Sequence, residues 1–82
     1  MIIRIVSAIG GDVMEIQVPP NTRIVDLKRE ISQRKRIPTS IFVLAFRGTE
    51  IRNENQSLAD VGINDYDKLY LIARTEGGSP KN

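Results

Sequence analysis

Apolar and polar residues alternate from the first residues of the chain. Ile2 to Ile9 is rich in β-branched residues and runs into Gly10-Gly11-Asp12, a turn signal between two apolar stretches. In the following stretch, Val13 to Val18, the residues Met14, Ile16 and Val18 alternate against Val13, Glu15 and Gln17. A period of two predicts a hairpin with one buried face. Pro19-Pro20-Asn21 ends it, because proline donates no ladder hydrogen bond. Thr22 is then the expected N-cap of a helix, with Asp26 placing a negative charge near its positive end. Ile24, Leu27 and Ile31 form a narrow apolar stripe, and Lys28, Arg29, Ser32 and Gln33 are assigned to the wet side. Ile37-Pro38 disfavours helical geometry before the proline and stops the helix near Arg36.

A third strand is expected over Ile41 to Arg47, with Phe42, Leu44 and Phe46 on one face and Val43, Ala45 and Arg47 on the other. Gly48 turns the chain into a very short strand at Glu50-Ile51-Arg52. Ser57 to Asp60 supports one helical turn, and Lys68 to Arg74 is the last strand, alternating Leu69, Leu71 and Ala73 against Tyr70 and Ile72. The order β-β-α-β-β-β makes this an α+β fold. One helix covers one face of a sheet, so the other face meets water or a partner.

Composition narrows the chemistry. The 82 residues suffice for one domain with one core. There is no cysteine and no histidine, which removes disulfides, thiolate nucleophiles, the usual general base near neutral pH and the commonest metal ligands. Asp60, Asp65 and Asp67 lie close together but on turns, where aspartate caps local backbone groups. No glycine-rich phosphate loop or metal-ligand spacing supports them as a catalytic or metal site, so neither an enzyme nor a cofactor is expected. Lys28, Arg29, Arg34, Lys35 and Arg36 form a basic cluster, but no aromatic residues are interleaved and the net charge is only +2. A helix end attracts cations through its own dipole, and nucleic-acid binding is not expected. With no apolar run of about 20 residues and no signal segment, no membrane contact is expected. The expectation is a cytosolic or nuclear monomer.

The landmarks taken in order resemble ubiquitin and its relatives. They are Met1, Ile3 and Ile5; Thr22-Arg23-Ile24; Ile37-Pro38; Leu44-Ala45-Phe46-Arg47-Gly48; Ser57-Leu58-Ala59-Asp60; and Leu69-Tyr70-Leu71-Ile72-Ala73-Arg74. The resemblance spans about residues 1–78 and implies a ubiquitin-like β-grasp fold, one helix packed on a mixed sheet of order 2-1-5-3-4. The domain is expected over residues 1–76, followed by a flexible tail over 77–82. Gly77-Gly78 stand where modifiers of that family carry their C-terminal diglycine. There the side-chain-free tail threads the channels of activating enzymes and proteases, and its carboxylate is adenylated and passed on as a thioester. The resemblance therefore implies cleavage after Gly78 by a processing protease and conjugation through Gly77, Gly78 and the matching Arg74, with activating and conjugating enzymes as partners. The alternative is a non-conjugated adaptor domain docking on proteasome, chaperone or segregase partners. A GTPase-binding or sulfur-carrier β-grasp domain is a third reading. Glu76 stands where ubiquitin has an arginine, and Thr49 and Asp65 replace the two lysines best known for linking its chains. Lys28 matches a further ubiquitin lysine, for which the resemblance implies partial burial. This is a relative of ubiquitin and not ubiquitin itself.

The implied strand order, combined with the alternation, gives a candidate partner-binding patch. Strand one turns Ile2, Arg4, Val6 and Ala8 away from the helix, strand five Tyr70 and Ile72, and strand three Val43 and Ala45. The expected contact residues are Val6, Ala8, Ile9, Val43, Ala45, Arg47, Tyr70 and Ile72, rimmed by Arg4, Lys68 and Arg74. A clustered apolar surface with a polar rim fits protein recognition. Ala45 is smaller than the ubiquitin residue it replaces, which implies different readers.

Overall fold

The computed structural model describes residues 1–8 and 10–74. Five strands and one long helix build it: β1 (Ile2–Ser7), β2 (Val13–Gln17), α1 (Ile24–Lys35), β3 (Phe42–Phe46), β4 (Thr49–Glu50), a one-turn helix α2 (Leu58–Val61) and β5 (Lys68–Ala73). The sheet order is β2-β1-β5-β3-β4. β1 and β2 pair antiparallel, β1 and β5 parallel, and β3 pairs antiparallel with both β5 and β4. This is the mixed β-grasp sheet that the landmarks implied.

The alternation along each strand sets which face is buried. Ile3, Ile5 and Ile16 on the first hairpin, Phe42 and Leu44 on β3, and Leu69 and Leu71 on β5 are all buried, at most 1% exposed. They pack against Ile24, Leu27 and Ile31 of α1, the stripe read from sequence, with Leu58 and Ile63 closing the end of the core. Burying one such side chain is worth about 1.5–3 kcal/mol, which is how a chain this small folds without disulfides.

The helix start differs from expectation. Thr22 is not the N-cap; Arg23 is, in extended conformation and with no side-chain cap. The first helical N–H groups are satisfied by a distant loop instead. Ile24 N–H donates to the Gln56 carbonyl and Val25 N–H to the Glu54 carbonyl, both at 3.0 Å. Local capping chemistry lost to a tertiary cap, which leaves no orphan donors for a threonine to serve. Lys28 also departs from the wet side that periodicity gave it and takes the buried side that the resemblance implied. It is buried, its Nζ lies 2.9 Å from Glu54 Oε2, and its ammonium sits 5.2 Å from the centre of the Phe42 ring. The helix ends as expected, at Arg36 in left-handed conformation (φ 58°).

Two shorter elements shift slightly. Ile41 belongs to a 3-10 turn (Thr39–Ile41) before β3, and β4 is Thr49–Glu50, so Ile51 and Arg52 follow the strand. The β3–β4 connection is a two-residue turn in which both Arg47 (φ 54°) and Gly48 (φ 79°) are left-handed. Such turns match the right-handed twist of the flanking strands. The α2 turn carries a capping box: Asp60 N–H donates to Ser57 Oγ (3.0 Å) and Ser57 N–H to Asp60 Oδ2 (3.2 Å). Removing the cap as Ser57→Ala is expected to cost about 1 kcal/mol in a denaturant titration.

Candidate functional site

The outer face of β1, β5 and β3 carries the side chains that the alternation leaves over. Register places Arg4 beside Lys68 and Val6 beside Tyr70 across the parallel pair. Tyr70 lies opposite Ala45, and Ile72 opposite Val43. β1 and β5 have a paired strand on each side, whereas β3 has β5 on one side and β4 only along Ala45 and Phe46 on the other. Most backbone groups of the face are therefore committed to ladders, and it offers chiefly side chains.

Of the sequence-derived patch, Val6, Ala8, Val43, Ala45, Tyr70 and Ile72 come together on this face, and Arg47 lies at its β3–β4 corner. Tyr70 (41%) and Ile72 (40%) are its exposed large residues, whereas Ala45 is only 5% exposed. Ala45 stays outside the core cluster and is flanked by Tyr70 and Glu50, so it forms a floor and not a protrusion. Above it opens a concavity of ≈ 550 Å³, bordered by Val43, Gly48, Glu50, Ile72 and Arg74. Ala8 is exposed, and its N–H donates to the Leu71 carbonyl (2.9 Å), carrying the β1–β5 ladder to the hairpin turn. The Arg47 guanidinium sits 5.1 Å from the Phe46 ring centre. Arg74 is exposed, and its N–H donates to the Ile41 carbonyl (2.8 Å), holding the end of the sheet against the 3-10 turn. Ile9, Gly77 and Gly78, and the tail assigned to residues 77–82, lie outside the described residues.

Two exposed apolar residues were missed by sequence reasoning, Ile41 (45%) and Tyr66 (53%). Tyr66 lies in the turn ahead of β5, where strand alternation does not extend, so periodicity held no signal for it. Its backbone is left-handed (φ 68°), and the Arg4 guanidinium lies 5.6 Å from its ring centre.

Asp60 and Asp67 cap local backbone groups as expected, whereas Asp65 binds across the fold to the start of β1. Asp65 Oδ1 accepts from Ile2 N–H (2.6 Å), Asp67 Oδ2 from Asn64 N–H (2.7 Å), and Asp60 completes the capping box. Among the described residues no group of three acidic, histidine or cysteine side chains is placed to hold a metal ion. No described helix is long and apolar enough to cross a membrane.

The hairpin turn beside the face is tied to α1 by Lys35 Nζ, 2.7 Å from Asp12 Oδ2. That hydrogen bond, with a backbone one, holds the Asp12 carboxyl below its ordinary value. A carboxyl depressed on folding stabilises the fold above its unfolded pKa, and that contribution is lost as pH falls through the folded value. Lys35→Gln is therefore expected to raise the Asp12 midpoint toward that of a free carboxylate in a carbon-13 NMR titration. The variant should differ from the parent in stability near neutral pH and converge with it in acid.

Residues 3–76 match the family model described as the ubiquitin family. DNA damage-inducible protein 1 of Phaeosphaeria nodorum is 28% identical over 71 residues, which cover 87% of this chain and 16% of that protein. The chain thus spans about a sixth of the length of that curated relative. A solved ubiquitin from Caldiarchaeum subterraneum superposes with a TM-score of 0.83 at 33% identity, over 95% of this chain and 98% of that one.

Proposed function

This chain belongs to the ubiquitin family, and from that premise we propose that it is a ubiquitin-like protein modifier, cut after Gly78 and read by partner proteins through the outer face of β1, β5 and β3. The observation that carries the recognition half is Tyr70 and Ile72 exposed on one side of the interior strand β5, whose inward-facing Leu69 and Leu71 are fully buried. Its partners present an apolar segment bearing acidic residues, suited to the rim of Arg4, Arg47, Lys68 and Arg74. The conjugation half is supported by spacing, because Gly77-Gly78 follow the last residue of β5, Ala73, after three intervening residues. The Gly78 carboxylate attacks ATP and becomes an acyl adenylate with release of pyrophosphate; an enzyme thiol displaces AMP to form a thioester, and a target amine attacks that thioester, which forms an amide and releases the thiol. The domain itself performs none of these steps.

The second reading is a non-conjugated domain of a longer adaptor protein. It is favoured by one observation, that the similar stretch is only 16% of the DNA damage-inducible relative. Expressing the chain in a lysate of its own source separates the two. The modifier loses the four residues after Gly78 by mass spectrometry and forms adduct ladders that vanish in Gly78→Ala. An uncut C-terminus with no adducts overturns conjugation and leaves the docking domain.

A further inference from the structure

The lysines of the chain are Lys28, Lys35, Lys68 and Lys81, and cleavage after Gly78 would remove the last of them. An amine that attacks a thioester has to bring its nitrogen within about 3–3.5 Å of the carbonyl carbon, so the protein atoms around it decide whether it can act. Lys28 is enclosed. Its side chain is 5% exposed, its Nζ lies 2.9 Å from Glu54 Oε2, and its ammonium faces the Phe42 ring. Lys35 is held down. Its side chain is 18% exposed, and its Nζ lies 2.7 Å from Asp12 Oδ2. Lys68 differs from both, being exposed at the start of β5 and making no ion pair among the described residues. Asp65 and Asp67 keep their charge nearby, but their carboxylates accept from Ile2 N–H and Asn64 N–H, and neither closes an ion pair on Lys68.

We infer that Lys68 is the acceptor amine of this chain, to which a second copy is joined through its Gly78 carboxyl. This rests on the reading of the chain as a modifier, which supplies that carboxyl as an enzyme-bound thioester. The Lys68 nitrogen, having shed its ammonium proton to water, adds to the thioester carbon. The carbon–sulfur bond then breaks, and the thiol leaves with the proton that the nitrogen gives up. The product is an amide between Lys68 Nζ and Gly78, and nothing is oxidised or reduced. The sheet presents this amine well. Alternation along β5 turns Lys68 outward with Tyr70 and Ile72, while Leu69 and Leu71 anchor the strand in the core. Its backbone is fixed beside Arg4 of β1, so the amine extends from a rigid strand on a flexible four-carbon stem. The remaining amine of the chain belongs to Met1, which is half-buried and packed against the core. Attachment at Lys68 places the second copy on the recognition face, in the same row as Tyr70 and Ile72.

Two measurements test this. In the first, the labelled chain is added to a lysate of its source, and the adducts are digested with trypsin. Trypsin cuts after Arg74 and leaves Thr75-Glu76-Gly77-Gly78 on whichever lysine was the acceptor. Self-linked species are expected to yield the fragment 53–74, uncut at Lys68 and carrying that remnant. Lys68→Arg should lose the self-linked species, keep adducts on other proteins and melt as the parent does; Lys35→Arg should lose neither kind of adduct. The second measurement needs no enzyme. With the acetyl thioester of N-acetylcysteamine, the folded parent is expected to be acetylated at Lys68 about tenfold or more faster than at Lys28 or Lys35, the factor that a modest local opening imposes on the other two. Comparable rates at the three lysines overturn the inference. A remnant on Lys28, Lys35 or the Met1 amine overturns it too, as do adducts on other proteins without self-linked species, and these results leave the modifier reading standing. An absence of adducts of every kind, with Lys68 still acetylated first, overturns the modifier reading and the self-linkage with it.

Discussion

Lys28→Ala is expected to lower the unfolding free energy by about 3 kcal/mol, at the lower end of what breaking a buried ion pair costs. The lower end applies because the partner, Glu54, keeps a third of its side chain exposed whereas Lys28 keeps only 5%. Three losses combine. The lysine stem leaves a hole beside α1, the ammonium no longer faces the Phe42 ring, and Glu54 loses its partner. The last of these reaches further than the pair, since the carbonyls of Glu54 and Gln56 cap the first N–H groups of α1. Loosening that loop returns the helix end to the orphan donors that no side chain serves. At about 4–8 °C per kcal/mol for a domain of this size, the midpoint should fall by roughly 12–24 °C. Lys28→Met keeps the volume and removes the charge, and should lose the least. Glu54→Ala strands a buried cation and should rank near Lys28→Ala. Thermal and denaturant unfolding of the three variants checks the order; a negligible loss in Lys28→Ala would sink it.

Lys28 also marks the boundary of what was legible in the chain. Its neighbours obeyed periodicity: Ile24, Leu27 and Ile31 are in the core, and Arg29 and Gln33 are in water. The charge of Lys28 put it outside, and only a carboxylate 26 residues away brought it in. The same loop misled the reading of Thr22, whose capping role was taken over by carbonyls from distant sequence. Local rules carry local information, so the hairpin, the α2 turn and the alternation of β3 and β5 were legible. Contacts between distant segments were not. Strand order belongs to that second class and came from the family resemblance, because alternation tells which face a residue takes but not which strand lies beside it. Within the candidate site, parity located Val6, Val43, Tyr70 and Ile72. It could not tell that Ala45, on the exposed side, lies sunk between Tyr70 and Glu50. It missed Tyr66 because alternation does not run through a turn whose backbone is left-handed.

Ile72→Asp is expected to abolish partner binding while leaving the domain folded. Ile72 is 40% exposed and its strand neighbour Leu71 is fully buried, so the two sides of β5 make opposite predictions for the same change. In the free protein the introduced carboxylate would keep its hydration, and the cost is the weak strand propensity of aspartate, about 1 kcal/mol or less. In the complex it would forfeit the burial of an isoleucine, about 1.5–3 kcal/mol, and confine a charge against apolar atoms without a partner, about 1–3 kcal/mol more. Together these cost about 2.5–6 kcal/mol, roughly a hundredfold or more in affinity. Leu71→Asp places the same charge in the core and should unfold the protein outright, since an unpaired buried carboxylate costs more than a small domain holds in reserve. Circular dichroism melts and a pull-down with the partner proteins of the parent chain read both variants. Loss of folding in Ile72→Asp would mean that the outer face is itself packed, and binding that survives in a folded Ile72→Asp would remove this face from recognition altogether.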